Sequence, residues 1–517
     1  MSKTGDVPLS VALSGGGHRA SLFALGALLY LVDSGGNRNV DSMVSVSGGS
    51  ITNAYIAQEC DFHSVDIKQF DNVASKLLRI IVERGVLFST WQTGVYIFLL
   101  AILGLYLLVE TLFDWPANLP WYALILGGVL LFILLSARGI LLSWLLSRQL
   151  FRREGRVTRL RDLSTSVEHV FCATDLGSGT PFYASTAQGA KLVSAAGSVN
   201  GESFRLHVAV RASAAFPGGF PPKRLPRRRY GLGWESRISG IGREFSAIYG
   251  PRKTPSRQRV WLSKAARAFV PHALFLSDGG VWNNLATDWV MRARSDHPKP
   301  RFLLVVDASA PLASVLLDLL NLPGAAEVAA LRRATAILYL NTVDPRIQVL
   351  EAQAADALRH SADSGQKRGT GEDADNWILP VVMRITEGRG EILKRYRRIF
   401  GDAGREMPEP LIPGNRGYEI VDQVWRRFWD EHRRFRRPNQ PGAKWLSSGV
   451  GTTLGRIDAT TAVLLVAHGY INAMTALHIY CGYPFGPLKG FERFRQLLTD
   501  SERDDSPGFV DPDSDVL

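Results

Sequence analysis

The stretch "MVSVSGGSITNA", residues 43 to 54, places a serine where an apolar run gives way to two glycines. The pattern predicts a strand followed by a helix, with Ser47 in the sharp turn between them. A nucleophile elbow has this form, and it needs small flanking residues because the backbone folds back on itself. The frame here is Ser45-Val46-Ser47-Gly48-Gly49. The alternative is that Ser47 only caps a helix.

A hydroxyl nucleophile needs a base, and its attack on an ester carbonyl needs N–H donors for the oxyanion. Gly15, Gly16 and Gly17 follow the first predicted strand and begin a helix, so their N–H groups could approach one oxygen atom. A phosphate-binding loop is the alternative, but neither GxxxxGK[ST] nor GxGxxG occurs there. Asp278 in "LSDGGVWNN" follows a predicted strand and is the candidate base, although lone Asp-Gly pairs often only form turns.

A Ser–His–Asp triad is the alternative to a serine–aspartate dyad. No histidine lies in a recognisable catalytic context, so each is interpreted first as a structural or surface residue. The histidines considered are His18, His169, His207, His272 and His432.

The elements that must position these residues alternate between strand and helix. The first 60 residues form two strand-turn-helix units, which predicts a mostly parallel sheet with helices on its faces. The pattern resumes with a strand pair in "ATDLGSGTPFYAST" and a strand in "RFLLVVDAS".

Two other segments have their own character. Residues 223 to about 270 are interpreted as an exposed basic insertion. The apolar stretch Thr460 to Tyr480 is a packed helix or, alternatively, a membrane span.

Two uncharged apolar runs, Val95 to Val109 and Trp121 to Ala137, interrupt this pattern. With their flanks each approaches the roughly 20 residues that cross a bilayer, which predicts a transmembrane hairpin; a buried core hairpin is the alternative. Arginines and lysines flank the hairpin, whereas the link carries Glu110 and Asp114. The positive-inside rule therefore predicts two spans with the catalytic part in the cytosol.

The net charge of +12 suggests an anionic partner, either nucleic acid or an acidic lipid surface. No nucleic-acid motif occurs and the hairpin favours a membrane, so anionic lipid headgroups are the predicted partner. "KRLPRRRYG" and the arginines after Leu146 are the candidates to bind them, or else they are solvated residues and topology signals. Three scattered cysteines predict a reducing compartment, and the N-terminus shows no signal peptide.

Five motifs together resemble those of patatin-like phospholipases, over roughly residues 7 to 58 and 168 to 309. They are "LSGGGHRA", "SVSGGS", "ATDLGSGTPFYAST", "RASAAFPGGFPP" and "SDGGVWNNLA". The resemblance implies a three-layer α/β sandwich and a lipid acyl hydrolase without cofactor or metal. It assigns Ser47 as the nucleophile and Asp278 as the base. It also implies that the Gly48 N–H joins Gly15, Gly16 and Gly17 in the oxyanion hole, supported by Arg19 and Gly49. Ser45 replaces the family's usual glycine.

These features predict a division of the chain into five parts. They are residues 1–90 and 148–345 as the two parts of the catalytic domain, 91–147 as the hairpin, 346–500 as a mostly helical region and 501–517 as an acidic disordered tail. The predicted function is hydrolysis of a membrane phospholipid or other acyl lipid at the cytosolic face. The alternatives are an acyltransferase that uses the same dyad and an inactive membrane scaffold.

Overall fold

The structure is a computed structural model. It describes residues 7–86, 91–113, 121–164, 166–187, 189–194, 197–217, 219–232, 273–293, 301–309, 326–366, 377–434, 450–486 and 490–499. Most of the link between the two apolar runs, most of the predicted basic insertion and the acidic tail lie outside these residues.

One large sheet forms the centre of the described part of the molecule. Its strands are β1 (Leu9–Leu13), β2 (Val40–Val46), β5 (Glu168–Asp175), β6 (Thr180–Ser185), β7 (Lys191–Ser194), β8 (Gly197–Asn200), β9 (Lys223–Pro226), β10 (Ala273–Asp278), β11 (Arg301–Asp307) and β12 (Ile378–Arg384). The main path is β12-β11-β1-β2-β5-β6-β7-β8, and β10 joins it through β5 with β9 at its side. The short strands β3 (Arg152–Arg153) and β4 (Arg156–Val157) form a separate ribbon.

The sheet is mixed, whereas the sequence predicted a mostly parallel one. Strands β12, β11, β1, β2 and β5 run parallel to one another. The strands β6, β7, β8 and β10 pair antiparallel to their neighbours. Short turns connect β5 through β8 in sequence, and such turns permit only antiparallel pairing.

Helices cover both faces of this sheet. Its side chains alternate, so that Val11 faces one core and Ala12 faces the other. The first core includes α1 (Gly17–Asp33) and α2 (Gly48–Glu59), and the second includes α9 (Ala326–Gln366). The remaining helices described are α3 (Ile67–Arg79), α4 (Trp91–Phe113), α5 (Trp121–Gln149), α6 (Leu206–Ser213), α7 (Gly280–Asn283), α8 (Asp288–Ala293), α10 (Arg389–Asp402), α11 (Arg416–Arg434), α12 (Ala459–Cys481) and α13 (Gly490–Thr499).

The C-terminal part of the chain belongs to the same packed body. β12 extends the central sheet beside β11, and α9 continues through residue 345 without a break. The apolar α12 lies against α1, and its most apolar segment is 94% buried. Gly26 and Gly469 allow this contact, because a Cβ at either position would overlap a backbone carbonyl of the other helix. The apolar surface of α12 is therefore covered by protein.

The helices α4 and α5 form an antiparallel pair with a different environment. Their apolar segments are only 6% buried, and the Tyr96 hydroxyl donates to the Leu134 carbonyl at 2.5 Å. The last part of α5 changes character, because Leu142, Leu145 and Leu146 are buried in the main core. By length and composition α4, α5 and α12 could each cross a membrane.

Candidate active site

The register of β5 brings the ends of two distant strands together. β2 runs parallel to β5, with Val46 beside Cys172, and β10 runs antiparallel to it, with Asp278 beside Ala173. Because β6 occupies the opposite edge of β5, β2 and β10 share one edge and approach each other from opposite directions. Their carboxyl ends meet there, so Ser47 and Asp278 become neighbours.

Ser47 has the backbone conformation of a strained turn. Its φ is 51° and its ψ is −116°, a conformation that non-glycine residues rarely adopt. The Ser47 N–H donates to Ser213 Oγ at 3.0 Å, which ties the turn to the end of α6. The hydroxyl is therefore presented at the tip of the turn between β2 and α2.

Ser45 stands where the family usually has glycine, and the structure accommodates its side chain. The residue is fully buried, and its hydroxyl donates to the Val170 carbonyl at 3.1 Å. The Ser50 hydroxyl donates in turn to Ser45 Oγ at 3.0 Å. These hydrogen bonds lie behind the turn, so Ser45 does not prevent the strained conformation of Ser47.

Asp278 is buried and faces three donors. Its carboxylate accepts the Gly280 N–H at 2.8 Å, and the residue is only 1% exposed. Burial raises the pKa of Asp278 to about 6, while hydrogen bonds from Gly280, Ser47 and Tyr339 act in the opposite direction. A carboxylate with this pKa is a better proton acceptor than an exposed aspartate and is still ionised at neutral pH.

Tyr339 and Asn284 are site residues that the sequence did not predict. The Tyr339 ring from α9 packs on Gly280 and lies 5.5 Å from the Phe216 ring, and its buried hydroxyl reaches the Asp278 carboxylate without a fully aligned hydrogen bond. The Asn284 side chain lies between Gly15 and Gly280, with its Oδ1 buried and unpartnered. Asn284 falls inside a quoted motif, but nothing in the sequence around Tyr339 distinguishes it from any other helical residue.

The predicted oxyanion residues do not offer equivalent N–H groups. The Gly15 N–H donates to the Asn284 carbonyl at 3.2 Å, and the Gly49 N–H donates to the Ser14 carbonyl at 3.2 Å. Within the described residues, the N–H groups of Gly16, Gly17 and Gly48 have no such backbone acceptor. Gly48 and Gly17 are in close contact, because a Cβ on Gly48 would overlap the Gly17 carbonyl. Among the predicted oxyanion residues, these three glycines are therefore the ones whose N–H groups have no backbone acceptor to compete with a ligand.

Arg19 anchors the Gly15–Gly17 loop to other parts of the chain. It is buried, its Nε and Nη2 donate to the Ala308 carbonyl at 3.1 and 2.9 Å, and its Nη1 donates to the Val450 carbonyl at 2.5 Å. The segment after Val450 also contacts the loop, because the His18 N–H donates to the Thr453 carbonyl at 2.8 Å. The C-terminal part of the chain therefore helps to hold the loop in place.

Two of the histidines considered, His18 and His169, are buried and hydrogen-bonded to other parts of the chain. His18 Nδ1 lies 2.8 Å from the Gly455 carbonyl, and His169 Nδ1 lies 2.7 Å from Asn53 Oδ1. Burial lowers the pKa of His18, His169 and His207 to about 4. His272 and the side chain of His432 lie outside the described part of the chain. Across the described ranges, no three His, Cys, Asp or Glu side chains are grouped as a metal site would require.

The sequence profile of the patatin-like phospholipase family matches residues 11–288, which is more than half of the chain. The chain therefore belongs to the patatin-like phospholipase family and has its α/β fold, with a mixed central sheet. Family membership supports lipid hydrolysis as the broad class of function.

Two solved structures are similar to the chain at low identity. Human GIVD cytosolic phospholipase A2 is 12% identical, with a TM-score of 0.33, and the alignment covers 63% of this chain and 48% of that one. VipD from Legionella pneumophila is 11% identical, with a TM-score of 0.25, and the alignment covers 96% and 91% of the two chains. The chain thus aligns with about half of the human enzyme. No curated protein sequence matches significantly.

Proposed function

We propose that the protein is a membrane-anchored lipid acyl hydrolase that cleaves carboxylic esters with a Ser47–Asp278 dyad. The observation that carries this proposal is the meeting of β2 and β10 along one edge of β5. It places a serine in a strained turn beside a buried carboxylate, with unpaired glycine N–H groups nearby.

In the proposed reaction, Ser47 Oγ attacks the ester carbonyl carbon while Asp278 accepts the hydroxyl proton. The carbonyl oxygen becomes an oxyanion that the N–H groups of Gly16, Gly17 and Gly48 stabilise, aided by the positive N-terminal ends of α1 and α2. The C–O bond to the leaving alcohol then breaks, and Asp278 returns the proton to that alcohol.

The acyl group is now bound to Ser47. A water molecule gives a proton to Asp278 and attacks the acyl carbon, and collapse of the second oxyanion releases the fatty acid. The serine recovers its proton from Asp278. An alcohol in place of water would give acyl transfer by the same steps, so the dyad alone does not choose between the two products.

The hairpin is the proposed membrane anchor. Its apolar segments are 6% buried, and an apolar surface of this length is unfavourable in water. α4 and α5 also hydrogen-bond to each other through Tyr96 and Leu134, as paired spans can. The positive charges at the flanks of the hairpin support an orientation with the catalytic domain at the cytosolic face.

Substitution of either dyad residue tests the proposed chemistry. Ser47→Ala and Asp278→Asn should each lower ester hydrolysis by about three orders of magnitude or more, because nucleophile and base act as one unit. The measurement is fatty-acid release from phospholipid in detergent micelles, with fluorophosphonate labelling of the wild type and of Ser47→Ala.

Two matched variants serve as controls for these substitutions. Ser64→Ala removes an exposed hydroxyl that bonds to Asp61, and Asp356→Asn removes a carboxylate whose side chain is 59% exposed. Both should retain wild-type turnover. Wild-type turnover in either dyad variant would refute the assignment.

A further inference from the structure

Arg211 is a buried cation that has no anionic partner among the residues that the structure describes. The residue is 1% exposed; its Nη2 donates to the Pro221 carbonyl at 2.6 Å and its Nε donates to the Gly139 carbonyl at 3.3 Å. Its Nη1 is buried and has no hydrogen-bond partner. A buried guanidinium normally pairs with a carboxylate or phosphate, so this arrangement is incomplete by itself.

The neighbours of Arg211 make the local charge more positive. Arg138 on α5 has a buried and unpartnered Nε, and among the described residues neither it, Arg211 nor Lys223 forms a salt bridge. Burial lowers the pKa of Arg211 to about 10, with Arg138 acting in the same direction. Burial also lowers the pKa of Lys223, and Arg211 and Arg205 add to this effect. Like charges grouped in one place are destabilising unless an anion lies between them.

The position of Arg138 along α5 indicates how the cluster of Arg138, Arg211 and Lys223 lies relative to the proposed membrane. From Trp121 to Arg138, α5 rises by about 25 Å, close to the thickness of a bilayer's hydrocarbon core. Immediately beyond Arg138, Gly139 contacts Arg211, and less than one turn further on, at Leu142, α5 becomes buried in the domain. If the hairpin crosses the membrane as proposed, the cluster lies at the level of the phosphate groups of the cytosolic leaflet.

We propose that Arg138, Arg211 and Lys223 bind the phosphate group of an anionic membrane phospholipid at the base of the hairpin. Phosphate oxygens can accept from Arg211 Nη1 and Arg138 Nε, and Lys223 adds a compact charge. The site differs from the arginine-rich stretches that the sequence suggested, since two of its three residues lie outside them.

This site is connected to the dyad through α6. Arg211 is two positions before Ser213, whose hydroxyl accepts the Ser47 N–H at 3.0 Å and whose carbonyl accepts the Gly279 N–H at 3.2 Å. A lipid phosphate bound to Arg211 would therefore hold the helix that supports both the nucleophile turn and the residue after Asp278. This inference rests on the proposed membrane placement, but its test does not depend on catalysis.

The test measures lipid binding to the full chain carrying Ser47→Ala, which prevents turnover of the probe. The protein is purified in neutral detergent, and dioctanoyl phosphatidic acid, dioctanoyl phosphatidylcholine and inorganic phosphate are titrated separately, with thermal stabilisation as the readout. We expect saturable binding of phosphatidic acid about tenfold tighter than that of phosphatidylcholine. Lys223→Gln and Arg138→Gln should each remove most of this preference, whereas Arg359→Gln, an equal change of charge at an exposed residue on α9, should not.

Several results would overturn the proposal. They are an unchanged preference in both Lys223→Gln and Arg138→Gln, equal affinity for the two lipids, or inorganic phosphate binding as tightly as the lipid. The last result would assign the site to free phosphate. The two partly exposed residues are used because Arg211 is buried and its replacement could unfold the domain. In the chain that retains Ser47, hydrolysis of a p-nitrophenyl ester, which has no phosphate, reports separately on the dyad.

Discussion

At the scale of single residues, burial of the Asp278 carboxylate sets the pKa of the proposed base. Burial raises the pKa of Asp278 to about 6, and the three donors around it prevent a larger change. This balance leaves the group ionised at neutral pH, as the proposed transfer of a proton from Ser47 requires. The same balance predicts how activity depends on pH and on the donors.

We expect kcat/KM for ester hydrolysis to fall as the pH drops through about 6, approaching tenfold per pH unit below that midpoint. The sign follows because only the ionised Asp278 can accept the Ser47 proton, and acid removes that form. The measurement is fatty-acid release from an uncharged ester between pH 4.5 and 8.5. A flat profile down to pH 4.5 would contradict the role of Asp278 as the base.

Tyr339→Phe should move the midpoint of this profile to higher pH, by up to about one unit. The Tyr339 hydroxyl lowers the pKa of Asp278, so its removal leaves the carboxylate less stabilised. The ring would still pack against Phe216, which makes Phe the conservative replacement. An unmoved midpoint would contradict this effect of the Tyr339 hydroxyl on Asp278.

At the scale of elements, α12 supports the site without touching the dyad. It packs on α1, the helix that begins at the oxyanion glycines, and the segment just before it contacts His18 and Arg19. The close contact at Gly26 and Gly469 sets how α12 lies on α1. A change in that contact should therefore affect both stability and activity.

Gly469→Ala should destabilise the protein by about 1–3 kcal/mol, because its methyl group would overlap the Phe23 carbonyl of α1. Gly401→Ala in α10 is the control, since a Cβ there meets no atom within 4 Å. Thermal unfolding of both variants in the same detergent gives the comparison. Equal melting temperatures would show that the α1–α12 contact can relax.

Sequence patterns predicted the elements of the site better than their arrangement. Short turns and apolar runs identify β2, β10 and α6, and the motifs around Ser47 and Asp278 lie where each strand ends. The pairing of β2 and β10 on one edge of β5 depends on long-range register, which no local pattern encodes. Tyr339 was missed for the same reason, because only the path of α9 over the sheet brings it to Asp278.

At the scale of the whole molecule, the α4–α5 hairpin shares a helix with the body that contains the central sheet. The first part of α5 exposes its apolar side chains, while Leu142, Leu145 and Leu146 are part of the domain core. The proposed anchor therefore has to be removed without the second part of α5. The predicted boundary at residue 147 lies beyond this junction.

Replacement of residues 97 to 136 by a short Gly/Ser linker should release the protein from membranes. The expected result is recovery of most of the chain in the supernatant after alkaline extraction, since the main exposed apolar surface is gone. Circular dichroism and p-nitrophenyl ester hydrolysis check that the domain still folds. A folded deletion protein that stays in the membrane pellet would rule out the hairpin as the main anchor.

The continuity of α5 would have a consequence for regiochemistry. One continuous helix would link the bilayer to the body that carries Ser47, so Ser47 could not move toward or away from the lipid surface without moving the hairpin. Ser47 would then lie at a constant distance from the membrane surface. Which ester of a lipid is cleaved would depend on whether its carbonyl carbon can reach Ser47 at that distance.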